Sequence, residues 1–168
     1  MIHTLEQLYL QQLEDLYGAE TELSQALPRL LLATAHKDLK SALEKYQEQC
    51  LQRRHMLDQI LTEIGHEPDH ASSAAMQVII GLGDDMITQT SDPDVRDAGL
   101  TAVAQRSLHY QAAAYGSAVP IADILKRKND RHLLGLALRD SREASELLSK
   151  IAIRTMHRAA AASYEGVG

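Results

Sequence analysis

The chain has 168 residues, 45% hydrophobic and 24% charged, with 9 Gly and 4 Pro, which excludes a disordered or collagen-like polymer and suits a single domain. Seventeen Lys and Arg against 23 Asp and Glu leave a net charge of −6, which argues against nucleic acid or an anionic membrane as the main partner. No apolar run reaches the roughly 20 residues of a membrane span, and the lone Cys50 fits a reducing compartment, so a cytoplasmic protein is expected.

The apolar period stays near 3.6 residues, and no stretch alternates as a strand would. Thr4 with Gln7 three residues later reads as a capping box that opens the first helix. Its inner stripe is expected to be Leu5, Leu8, Leu16, Leu23, Leu27 and Leu30, with Glu20 in the same row and a kink at Pro28. Residues 35–38 are the expected turn. A second helix should start near Asp38 or Ser41 and end at Gly65, burying Leu39, Leu43, Tyr46, Leu57, Ile60 and Ile64.

Residues 65–70 read as a loop, in which His66 and His70 flank Pro68; solvation is the default there, with a surface metal site as the sharper alternative. A shorter helix over about Ser72–Thr90 turns Met76, Ile79, Ile80, Met86 and Ile87 inward. Asp92-Pro93-Asp94 then supplies a cap, a proline at the first helical position and an acidic first turn. That helix should run to about Lys128, kinked at Pro120. Asn129 or Asp130 should cap the last helix, which continues to about Ala162 and leaves residues 163–168 as a frayed tail. The sum is an all-α, single-domain, ferritin-like antiparallel four-helix bundle, with a short crossover helix between its second and third long helices.

There is no Phe and no Trp among the residues, so Leu, Ala, Ile, Val and Tyr must fill the interior. The informative side chains are polar ones on apolar stripes. Glu20 lies on the first helix, Gln49 on the second, Gln111 on the third and Asp140 with Ser141 on the fourth, each near mid-helix. Antiparallel packing brings mid-helix positions to one level, so a single polar layer is expected. Four facing helices are also how two-metal carboxylate proteins assemble their sites. Two divalent cations call for about four carboxylates and two histidines. Here Glu20 and Asp140 are the candidate metal ligands, with Glu48 as a further candidate carboxylate unless its rotation turns it outward. A hydrogen-bonded layer without metal is therefore the first expectation, with iron or manganese as the alternative.

Three stretches carry a resemblance to a known family: Leu16-Tyr17-Gly18-Ala19-Glu20, Asp94-Val95-Arg96-Asp97-Ala98, and His109-Tyr110-Gln111-Ala112-Ala113-Ala114-Tyr115-Gly116. They resemble the ferritin-like YciE/YciF proteins, bacterial stress-associated proteins related to ferritin and rubrerythrin. The resemblance runs from about Leu5 to Ala152. It implies a homodimer and, in some members, a two-metal site. The family's first-helix glutamate falls on Glu20. Its second-helix His-x-x-Glu-Thr falls on Tyr46, Gln49 and Cys50, and its third-helix Glu-His-Tyr-Glu on Leu108, His109, Tyr110 and Gln111. Its paired fourth-helix glutamates fall on Asp140 and Ser141, before Arg142. Leu108 cannot coordinate a metal. The resemblance thus implies a vestigial layer of Glu20, Gln49, Leu108, Gln111, Asp140 and Ser141.

Glu20 should find a partner in Gln49, Gln111, a tyrosine hydroxyl or Arg53, since an unpaired buried carboxylate is costly. In a layer without metal, Glu20→Gln should cost little stability or even help, since a charge leaves the interior. Cys50 reads as a small core residue and His109 as a packing residue. The basic group Lys126-Arg127-Lys128 with Arg131 and His132 reads as a solvated helix end, with nucleic-acid contact as the alternative. The expected function is a non-catalytic, stress-related or interaction role. The alternative is a di-iron or di-manganese carboxylate oxidase or peroxidase of the rubrerythrin or ferritin kind.

Overall fold

A computed structural model of the chain describes residues 1–68 and 71–165, with side chains to Ala161. Its elements are α1 (Leu5–Ala33), α2 (Lys37–Ile64), α3 (Ala74–Gln89), α4 (Pro93–Ile124) and α5 (Lys128–Glu165). Among the described residues there is no strand.

The caps explain most boundaries. Thr4 Oγ1 accepts from the Gln7 amide at 3.2 Å while Gln7 Oε1 accepts from the Thr4 amide at 3.3 Å, which closes the expected capping box. Gly65 ends α2 at φ 79°, a left-handed conformation that costs glycine nothing. Asp92 accepts from the amides of Asp94 and Val95, both at 2.9 Å, with Pro93 opening α4.

As expected, α1 runs through Pro28 to Ala33 and α4 through Pro120; both prolines face solvent, where water can take the carbonyl that each leaves unpaired. Several other boundaries differ from expectation, each for a local reason. Helix α2 begins at Lys37, because His36 caps it through Nδ1 and Asp97 of α4 accepts from the amides of Ala35 and His36. Helix α4 stops at Ile124, because Lys126 turns the chain at φ 60°. Helix α5 starts at Lys128, so Asp130 lies within its first turn and points inward. The tail expected to fray from 163 is helical to Glu165; residues 166–168 lie outside the described residues.

Side-chain contacts fix the topology. Helix α2 returns antiparallel along α1, bringing Arg53 to Glu20 and His66 to Glu14. The crossover α3 then runs alongside the second half of α1, tied by Gln77 to Glu22 and by Arg29 to Asp84. It delivers the chain to the end where α1 finishes, so α4 descends antiparallel to α1, from Arg96 at Ala33 to Ser117 at Gln12. Helix α5 returns along α4, from Asp130 beside Tyr9 to Arg154 beside Asp38. This is the expected ferritin-like bundle with one crossover. Gly18 makes the crossover possible: a Cβ there would lie 2.6 Å from the Ser72 backbone.

The apolar interior forms two separate clusters. One is built around Leu23, Leu27, Leu43, Cys50, Leu100, Leu108 and Leu148. The other is built around Tyr9, Leu13, Leu16, Leu57, Leu61, Tyr115 and Leu134. Leu5 and Leu8 of the expected α1 stripe are only half-buried, and Tyr9 with Leu13 take their place. Between the clusters lies a polar layer, with Glu20 from α1, Arg53 from α2, Gln111 from α4 and Ser141 from α5, all buried.

Candidate functional site: the polar layer of the bundle

Glu20 is fully buried, and Arg53 is 5% exposed at its side chain. The guanidinium meets the carboxylate in a two-pronged arrangement: Arg53 Nε donates to Oε1 at 2.7 Å and Nη2 to Oε2 at 3.3 Å. Such paired donation is the strongest form of this interaction. The Tyr115 hydroxyl donates a third bond to Oε1 at 2.7 Å. Burial works against the charge on Arg53, yet Glu20 beside it holds the guanidinium well above its usual pKa range. Burial, and then the negative charge of Glu20, push the Tyr115 hydroxyl well above the ordinary tyrosine value.

The rest of the layer surrounds this pair. Arg53 Nη2 lies 3.5 Å from Cys50 Sγ, and the guanidinium sits over the Tyr46 ring at 5.9 Å. Tyr46 donates to Gln111 Oε1 at 2.7 Å. Burial, followed by the charge of Glu20, raises the Cys50 thiol well above its normal value, so it is neutral and unreactive. Three polar atoms of this region are buried without a hydrogen-bond partner: Arg53 Nη1, Gln111 Nε2 and Gln49 Oε1.

The structure brings together only part of the vestigial layer read from the sequence. Glu20 and Gln111 are in it. Ser141 is buried but spends its hydroxyl on the Ala137 carbonyl of its own helix, at 2.9 Å. Leu108 is fully buried and belongs to one apolar cluster. Gln49 and Asp140 sit half-buried at the seam between α2 and α5, lining a hollow that Arg53 also borders. Glu48 is exposed. Among the described residues, no three of His, Cys, Asp and Glu are grouped so as to hold a metal ion.

The remaining candidates resolve similarly. His66 Nε2 lies 2.7 Å from Glu14 Oε1, while His70 lies outside the described residues. His109 Nε2 lies 3.3 Å from the Ser145 hydroxyl. In the basic turn, Arg127 is taken by Asp130 and Arg131 is 3.5 Å from Asp123. Arg53 was one of four alternatives as the partner of Glu20. Its position three residues after Cys50 and four before Leu57, on the buried row of α2, is the signal that singles it out.

Residues 4–161 match the family described as a domain of unknown function, DUF892. The chain belongs to this family. Among characterised relatives, it is 29% identical over 158 residues to Protein YciF of Escherichia coli (strain K12), covering 94% of this chain and 95% of that protein. The crystal structure of the E. coli stress protein YciF superposes with a TM-score of 0.87 at 29% identity, over 93% of this chain and 99% of that one. The structure of YcfI from Rhodopseudomonas palustris superposes with a TM-score of 0.84 at 29% identity, over 88% and 94%. The family resemblance and the bundle architecture read from the sequence both hold.

Proposed function

We propose that the chain is a non-catalytic bundle protein whose centre is held by an internal cation, the Arg53 guanidinium, in place of metal ions. One observation carries the reading: both carboxylate oxygens of Glu20 accept from Arg53, at 2.7 and 3.3 Å, and one also from Tyr115. A divalent cation at Glu20 would need to displace the guanidinium and would face its positive charge at close range. The donor chemistry fits poorly in other respects too. Around Glu20 the neighbours are an arginine, a neutral thiol, a tyrosine hydroxyl and an amide. Two divalent ions need several anionic ligands.

The role that goes with this reading is stress-related or one of protein interaction, with the chain acting as a cytoplasmic homodimer. Its support is the likeness to YciF, described as a stress protein. No described helix is long and apolar enough to cross a membrane. The deciding experiment is elemental analysis of protein purified from cells supplemented with iron and manganese. The reading expects metal far below one ion per chain; about two ions per chain, lost in Glu20→Ala, would overturn it. Analytical ultracentrifugation tests assembly, and a monomer at every concentration would remove the dimer.

A further inference from the structure

The seam between α2 and α5 contains a hollow of about 200 Å³ bordered by Gln49, Arg53, Met56, Leu136, Ala137 and Asp140. Three groups there have unmet bonding capacity. Asp140 is half-buried and, among the described residues, makes neither a hydrogen bond nor an ion pair. Gln49 Oε1 is a buried acceptor without a donor. Arg53 Nη1 lacks an acceptor, but the charge of Arg53 is already matched by Glu20. With Arg53 matched by Glu20, the Asp140 carboxylate borders the hollow without a counter-charge of its own. Arg139, the neighbour of Asp140 in sequence, is turned to Glu143, 3.9 Å away, and no α5 arginine lines the hollow.

We infer that this hollow binds a small organic monocation, a primary alkylammonium, with its ammonium group on Asp140 and Gln49 Oε1. Its alkyl stem lies against Met56, Leu136 and Ala137. The charge selects the class. An anion would meet the unpaired Asp140, whereas an ammonium supplies three donors to two oxygens that lack them. The size limits the stem. Cavities of about 150 Å³ accommodate benzene, so roughly four to six carbons fit. The site rests on Arg53 being held by Glu20, and its test reads shifts at the seam, so it can fail while the metal content leaves the reading of the Glu20 centre intact.

The test is a titration of isotopically labelled protein with n-butylammonium chloride, read by chemical shifts of the Ala137 and Met56 methyl groups. n-Butanol and sodium butyrate serve as size-matched neutral and anionic probes. Saturable shifts with n-butylammonium, weaker with butanol and absent with butyrate, support the site. Asp140→Asn should then weaken binding about ten-fold, the loss of one charge-assisted hydrogen bond. Gln49→Leu is the second variant, and it should also weaken binding while leaving the helical signal unchanged. No saturation at tens of millimolar n-butylammonium would overturn the inference. So would butyrate binding as tightly as the amine, or amine affinity unchanged in both variants.

Discussion

Removing either member of the Glu20–Arg53 pair should destabilise the protein far more than removing both. The side chains are 0% and 5% exposed, so neither charge regains water when its partner is lost. Arg53→Met leaves a buried carboxylate with only neutral neighbours, the Tyr115 hydroxyl and the Cys50 thiol, and Glu20→Gln leaves a guanidinium with no counter-charge. Breaking a buried pair in this way costs about 3–5 kcal/mol, whereas replacing both charges with apolar groups of similar volume is often neutral. For a chain of this length, 1 kcal/mol moves the melting temperature by about 2–4 °C, so each single variant should melt roughly 6–20 °C lower. Urea unfolding of wild type, Glu20→Leu, Arg53→Met and the double variant closes a double-mutant cycle. The coupling energy should exceed about 2 kcal/mol. Single losses below about 1 kcal/mol that simply add in the double variant would refute the argument. The low cost expected of Glu20→Gln from the sequence gives way to a high one, because the change would strand the Arg53 guanidinium without a counter-charge.

Gly18→Ala should cost about 1–3 kcal/mol in urea unfolding, although alanine is the better helix former, because the new methyl would lie 2.6 Å from the Ser72 backbone. A gain in stability would show that the crossover can give way there. Lys126→Gly should raise stability by about 1 kcal/mol in the same assay, relieving a side chain held at φ 60°; an unchanged or lower midpoint would contradict this. The tyrosines predict the alkaline limit. Burial raises Tyr9, Tyr46 and Tyr115, and burial with the Asp15 carboxylate pushes Tyr110 up to about 12. The unfolded chain releases these protons near pH 10, so the stability they carry is complete below that pH and is lost as pH rises toward the folded values. Phenolate absorbance from these residues should therefore appear together with loss of helical signal. Ionisation of most tyrosines at about pH 10 in a still-helical protein would refute the assignment.

The parts of this structure that could be read from the sequence are those governed by local rules. The capping box at Thr4, the left-handed stop at Gly65 and the Asp92-Pro93 start each depend on a few adjacent residues, and each appears as written. The boundaries that moved depend on distant residues. Helix α2 starts at Lys37 because a carboxylate on another helix, Asp97, takes the Ala35 and His36 amides. The position of a polar layer was legible from Glu20 and Gln111 on apolar rows, but its wiring was not. Gln49 and Asp140 sit on the right rows at the wrong rotation, half-turned into the α2–α5 seam. A helical wheel resolves a face, not the tens of degrees that separate a core position from a seam.

The layer also bears on why this bundle has a single register. Leu and Ala packing tolerates sliding of one helix past another, because similar side chains recur at each turn. The Glu20–Arg53 pair does not. A slip of one turn in α2 would move Arg53 into an apolar cluster and leave Glu20 facing leucine, with two uncompensated charges in the interior. Tyr115 adds a third helix to the same constraint, since its hydroxyl must reach the same carboxylate oxygen. Thus three of the four long helices are keyed at one level by groups that contribute little net stability but penalise every other alignment. The double variant Glu20→Leu/Arg53→Met removes this constraint while keeping the apolar clusters. It should keep its stability yet lose definition, with broadened methyl resonances in the two core clusters and weaker amide protection near mid-helix. Sharp, wild-type-like spectra from a fully stable double variant would show that the apolar clusters alone fix the register.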